Sequence, residues 1–82
     1  MKQQRLSLEI EDKIYIYEEF HGSVVEYTII GIFVGRNNVE YHIEAYDKNG
    51  EIFNYRTCDE DEIGKTAFLT LEAAEEHRKL NN

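Results

Sequence analysis

The longest apolar stretch of the chain covers residues 27–35, Tyr-Thr-Ile-Ile-Gly-Ile-Phe-Val-Gly. It combines the β-branched Thr28, Ile29, Ile30 and Ile32 with Gly31 and Gly35, a mixture that disfavours a buried helix and suits a strand. Unbroken apolarity predicts a central strand covered on both faces. Gly31 predicts a bend or bulge, the device by which a small sheet curls.

Shorter patterns flank it. Leu6, Leu8 and Ile10 alternate with Ser7, Glu9 and Glu11, which predicts a short first strand. Ile14-Tyr15-Ile16-Tyr17 predicts a strand with isoleucines on one face and tyrosines on the other. A turn follows at residues 20–23, and the central strand begins near Val24. Arg36-Asn37-Asn38 predicts a second turn, since asparagine tolerates positive φ better than most residues. In residues 39–45, Val39, Tyr41, Ile43 and Ala45 face the core, while Glu40, His42 and Glu44 face out. Asp47-Lys48-Asn49-Gly50 predicts a hairpin whose Asn-Gly pair takes positive φ at both positions, with residues 51–55 returning. Residues 58–62 read as an acidic loop, and residues 63–66 as a glycine turn that delivers Phe68 into the core. Thr70 is a helix N-cap, with Glu72 in the positive first turn and a staple between Leu69 and Ala74. Ala73, Ala74, His77 and Leu80 then form the inner face of a helix, Glu75, Glu76 and Lys79 its wet side, and Arg78 suits its negative end. The helix is expected to lie across an open end of the sheet.

These elements predict a mainly-β domain with one helix: a small antiparallel SH3-like barrel, or a strongly bent sheet, capped by the C-terminal helix. The expected single domain spans residues 1–82, with sheet over 6–55, an acidic loop and short strand over 56–69, and helix over 70–80. A chain of 82 residues buries only about 60–65% of its unfolded surface. Six tyrosines and four phenylalanines help to fill so small a core. Proline is absent, so edge strands must be protected by charge, bulges or cover.

Seventeen acidic residues against nine basic give a net charge of −8. That balance opposes direct attraction to nucleic acid. It fits a soluble acidic protein, or an acidic surface that docks on a basic protein groove. No apolar run approaches the ~20 residues of a membrane span, and no continuous apolar stretch follows the basic start, so a signal peptide is not expected. Cys58, the one cysteine, reads as a reduced thiol in a cytoplasmic protein.

Several motifs approach known chemistry without completing it. Gly64-Lys65-Thr66 resembles the end of a phosphate-binding loop, but Asp59 stands where that loop needs glycine. Asp59, Asp61 and Gly64 match positions of a calcium loop, but Ile63 and Thr70 replace two oxygen ligands. Cys58, His21, His42 and His77 lack zinc spacing. The carboxylates beside Cys58 oppose a thiolate. No catalytic, metal or cofactor site is expected.

Glu62-Ile63-Gly64-Lys65-Thr66-Ala67-Phe68-Leu69-Thr70, followed by Glu72-Ala73-Ala74-Glu75, resembles a recurring tail of small, largely uncharacterised proteins of Gram-positive bacteria and their phages. The upstream outline is similar: a Lys-Ile-Tyr first strand, a long Ile-rich strand and a Tyr-containing hairpin. Leu71 stands where the group usually has a basic residue, and Ala67 where it has valine or isoleucine. The resemblance implies a helix-capped SH3-like barrel and a mobile-element context.

The functional expectation is a non-enzymatic protein-binding module, most concretely an anti-CRISPR-like inhibitor of a nucleic-acid-handling enzyme. Its expected contacts are Asp59, Glu60, Asp61 and Glu62, supported by Glu40, Glu44, Tyr15 and Tyr17, with carboxylates standing in for phosphates. The expected partner is a protein with a basic surface, without direct nucleic-acid or membrane binding, and the chain acts as a monomer or homodimer. The alternatives are a structural or regulatory protein whose charge only confers solubility, and a metal-binding protein.

Overall fold

A computed structural model of the chain describes residues 8–80. Five strands form one sheet: β1 (Lys13–Glu18), β2 (Ser23–Val34), β3 (Val39–Tyr46), β4 (Ile52–Asp59) and β5 (Ala67–Phe68). An α-helix, α1 (Leu71–Leu80), follows, the one α-helix among the described residues. The strand order is β4-β3-β2-β1-β5, and every neighbouring pair is antiparallel. The edges β4 and β5 do not pair, so the fold is a bent open sheet and not a closed barrel.

Period-two alternation sets the inner face. Ile14 and Ile16, then Val25, Tyr27 and Ile29, then Val39, Tyr41, Ile43 and Ala45 are buried on consecutive strands. Cys58 and Ala67 complete the cluster, and Leu8, Ile32 and Ile63 pack against it. Each fully buried isoleucine contributes about 2–3 kcal/mol of hydrophobic stabilisation. The sheet curls around this cluster far enough for Glu18 of β1 to reach Arg56 of β4, with Nη1 2.7 Å from the carboxylate.

The bulge expected at Gly31 is present. Ile29 faces Ile43 and Gly31 faces His42, leaving Ile30 as the extra residue. The expectation that both faces of the apolar stretch are covered is overturned. Ile30, Phe33 and Val34 are 40%, 59% and 74% exposed. β1 pairs only with the first half of β2, through Thr28, so the second half has β3 alone beside it.

Other expectations need correction. The alternation over residues 6–11 makes no strand where it is described. Leu8 and Glu9 are irregular, Ile10 and Glu11 turn, and Glu11 takes φ 81°; Leu6 and Ser7 lie outside the described residues. Neither Asn37 nor Asn38 adopts a positive φ; Gly35 N–H bonds the Asn38 carbonyl at 2.7 Å instead. In the next hairpin only Gly50 is left-handed, at φ 81°. Asp47 builds that loop, its carboxylate accepting from the N–H groups of Asn49 at 2.8 Å and Glu51 at 2.9 Å. β4 runs on to Asp59, so the expected acidic loop shrinks to a 3₁₀ turn, Glu60–Glu62.

The Gly64 turn, at φ 93°, delivers Ala67 into the core. Phe68 is half-buried with its ring 5.0 Å from that of His77. Thr70 caps α1 through its hydroxyl, which accepts from Ala73 N–H at 3.1 Å. The helix packs on β1, β2 and β5 with Ala74 buried, but Leu80, expected on the inner face, is 81% exposed.

Candidate functional site

Strand register assembles the outer face of the sheet row by row. Phe33, Glu40 and Asp59 are register partners on β2, β3 and β4. The next row of that face holds Gly31, His42 and Thr57, and the one after it Thr28, Glu44 and Tyr55. Neighbours within such a row stand about 5 Å apart, and Glu40 and Glu44 are separated by about 13 Å along β3.

His42 organises the centre of this face. Its Nδ1 is hydrogen-bonded to the Tyr55 hydroxyl at 2.7 Å. Its ring lies against Phe33 with centroids 4.3 Å apart and planes inclined at 35°. Gly31 sits opposite His42, where an added Cβ would meet the His42 Cβ at an ordinary contact distance of 3.6 Å. The His42 Nε2 is enclosed and 3.6 Å from the Glu40 carboxylate. Phe33 and Tyr55 each keep more than half of their surface in solvent. Tyr46, on the same face, donates to Glu44 at 2.6 Å, a bond that raises its phenol pKa.

Five of the eight expected contact residues share this face: Glu40, Glu44 and Asp59 on β3 and β4, and Tyr15 and Tyr17 on β1, where they alternate with the buried Ile14 and Ile16. The remainder divide. Glu60 and Asp61 follow in the 3₁₀ turn at the end of β4, with Asp61 exposed. Glu62 turns toward the inner side: it accepts from the Thr66 hydroxyl at 3.4 Å, and its charge acts on Arg56 and Cys58. Tyr15 and Tyr17, on the outward side of β1, stand two strands from Glu40. The half-buried Tyr15 donates to Glu26 at 3.0 Å, and that bond leads the rise in its pKa. Tyr17 is covered by the Arg78 guanidinium, 5.2 Å from the ring centroid.

Phe33, His42 and Tyr55 were missed by sequence reasoning. The unbroken apolarity of residues 27–35 predicts a covered strand at Phe33, and His42 and Tyr55 have no motif around them. The alternation of β3 places His42 outward between Glu40 and Glu44, and was the one available signal.

A second polar cluster closes the curled sheet. The Glu18 carboxylate, in a residue only 8% exposed, accepts from the Tyr27 hydroxyl and from Arg56. The Tyr27 oxygen accepts from Asn54 Nδ2 at 2.7 Å. Burial, then the hydrogen bond to Glu18, pushes the Tyr27 phenol up to about 12. Burial is the strongest influence on the Arg56 charge and opposes it, but the hydrogen bond to Glu18 and the electrostatic attraction of Glu18, Tyr27 and Glu62 together outweigh it, so its pKa is raised. Beside this cluster lies a groove of about 490 Å³ bordered by Tyr17, Glu19, Arg56, Thr66, His77 and Arg78. Both its arginines already face carboxylates, Arg56 with Glu18 and Arg78 with Glu75 at 3.5 Å, and Glu19 adds another. The groove therefore carries no surplus positive charge.

Cys58 is buried, and burial, then the charge of Glu62, pushes its thiol up to about 12. Such a thiol is neither a nucleophile nor a ready metal ligand near neutral pH. Among the described residues no three His, Cys, Asp or Glu side chains converge on a metal position, and no helix is long and apolar enough to cross a membrane. The outer face is thus left with rings and carboxylates for molecular contact, and no protein-family model, curated protein or solved structure matches the chain.

Proposed function

We propose that this chain is a non-enzymatic protein-binding module whose outer sheet face docks on the basic groove of a nucleic-acid-handling protein. In that role it is an anti-CRISPR-like inhibitor carried by a phage or other mobile element, excluding nucleic acid from the groove. The observation that carries the reading is the row Phe33–Glu40–Asp59: an exposed ring beside two carboxylates, neither of which has a Lys or Arg partner among the described residues. Exposed aromatic and aliphatic side chains supply the area that protein interfaces use, and carboxylates supply complementarity to a basic partner. Displacement of a groove's counterions favours such docking most at low salt.

A second reading is that the charge serves solubility alone. Glu72 and Glu76 on α1 favour it, because they are exposed and lie on a different element from the Phe33–Glu40–Asp59 row. One experiment separates the two. The wild-type chain and a Glu40→Gln, Asp59→Asn, Asp61→Asn variant are immobilised and exposed to lysate of a Gram-positive bacterium, with elution by salt. Docking through the outer face predicts a nucleic-acid-handling protein that the wild type holds, salt or DNA releases, and the variant loses. Equal capture by both baits at low salt contradicts it.

A further inference from the structure

We infer that the outer face selects arginine over lysine in its partner, reading two guanidinium groups about 13 Å apart. This inference rests on the docking role proposed above and specifies the chemistry recognised. The same arrangement occurs twice. Phe33 stands beside Glu40, with Asp59 next in the row, and Tyr55 stands beside Glu44. Each ring is more than half exposed, Phe33 at 59% and Tyr55 at 51%. The rings are held in place by His42 in the row between them, which packs on Phe33 at 4.3 Å and bonds the Tyr55 hydroxyl at 2.7 Å.

A flat guanidinium meets both demands of such a place. It stacks on an aromatic ring while its edge donates paired hydrogen bonds to a carboxylate alongside. An ammonium is a compact, strongly hydrated charge and gains less from the ring. The chain uses this contact internally, where the Arg78 guanidinium covers Tyr17 at 5.2 Å. Two cations limit the charge of the face. Lys13, across the sheet from Glu44, is turned to the Thr28 hydroxyl at 3.0 Å, and Arg36 lies in the exposed turn beyond Phe33. Neither has an ion-pair partner among Glu40, Glu44 and Asp59. In an extended partner segment the spacing corresponds to arginines at positions i and i+4.

The test uses two fluorescent Gly/Ser peptides, one with arginines and one with lysines at i and i+4. Binding is read by anisotropy at low salt to wild type, Phe33→Leu and the helix control Glu72→Gln/Glu76→Gln, each checked for folding by circular dichroism. The arginine peptide is expected to bind about three- to tenfold tighter than the lysine peptide, as two partly exposed cation–ring contacts allow. Phe33→Leu keeps the apolar bulk and should bring the ratio down, whereas the helix control should leave it unchanged. Equal binding of the two wild-type peptides overturns arginine selection and leaves the docking role standing. An unchanged ratio in Phe33→Leu also overturns it. Binding of neither peptide overturns the docking role and this inference together.

Discussion

Glu18 on β1 and Arg56 on β4 meet at 2.7 Å although β2 and β3 lie between their strands. In a flat sheet, strands three places apart stand about 14 Å from each other. The contact therefore measures the curl, and it supplies the cross-link that hydrogen bonding between the unpaired edges does not. Tyr27 and Asn54 complete the network, so the Glu18 carboxylate is buried with partners.

Removing one partner should leave that carboxylate buried and under-compensated. Breaking a fully buried pair costs about 3–5 kcal/mol. The Arg56 side chain is 36% exposed, so Arg56→Met is expected to cost about 2 kcal/mol after discounting for solvent. Glu18→Gln retains an acceptor and should cost about half as much. Urea unfolding of the two variants measures both, and a loss below a few tenths of a kcal/mol in Arg56→Met would mean that the pair does not hold the curl.

Alkaline stability should expose the buried phenol and thiol. Below their unfolded-state values, about 9 for Cys58 and about 10 for Tyr27, both groups are protonated in either state, and their contribution is fully present. Above those values the unfolded chain releases the protons while the folded chain holds them to about 12. Stability should therefore fall as pH rises from about 9, and more steeply from about 10, by at most about 1.4 kcal/mol per pH unit per group. Urea midpoints between pH 8 and 11 measure the fall. Cys58→Ala should remove its first part and Tyr27→Phe its second; variant and wild-type curves that stay parallel would refute the assignment.

The same burial governs thiol reactivity. At pH 8 a thiol with a pKa near 12 is about one part in ten thousand thiolate. Modification of Cys58 by an aromatic disulfide reagent should be slow in the folded chain, fast in urea, and rate-limited by unfolding. Rapid reaction of the folded protein would contradict the burial.

Gly64 tests the resemblance-bearing tail. Its φ of 93° is left-handed, and a Cβ there meets nothing within 4 Å. Gly64→Ala should therefore cost about 1 kcal/mol from backbone strain alone. Thermal unfolding is the readout, and a neutral effect would mean that the turn relaxes to a conformation open to alanine.

What could be read from the sequence follows the range of the interaction responsible. β3 was legible because Val39, Tyr41, Ile43 and Ala45 alternate with polar residues, and the Thr70 cap because it acts over three residues. The second half of β4 was not. Arg56, Thr57 and Asp59 look like loop residues, and the inward place that register gives Arg56 opposite Ile43 is satisfied by Glu18, 38 positions away. The apolar run misled for a related reason. Its composition does not reveal that β1 ends its pairing at Thr28, leaving Phe33 and Val34 in solvent. Of the site, the outward Glu40 and Glu44 were legible and the aromatic partners were not, because cross-strand neighbours depend on register. Register in turn depends on the Ile30 bulge.

The most direct measurement of the central claim is a ¹H–¹⁵N titration of the chain with the arginine peptide at low salt. The largest shifts are predicted at residues 33, 40, 42, 44, 55, 57 and 59, falling away with added salt. Shifts spread evenly over the carboxylates, with Glu72 and Glu76 moving as far as Glu40 and Asp59, would contradict a docking face and leave the charge as a solubility device.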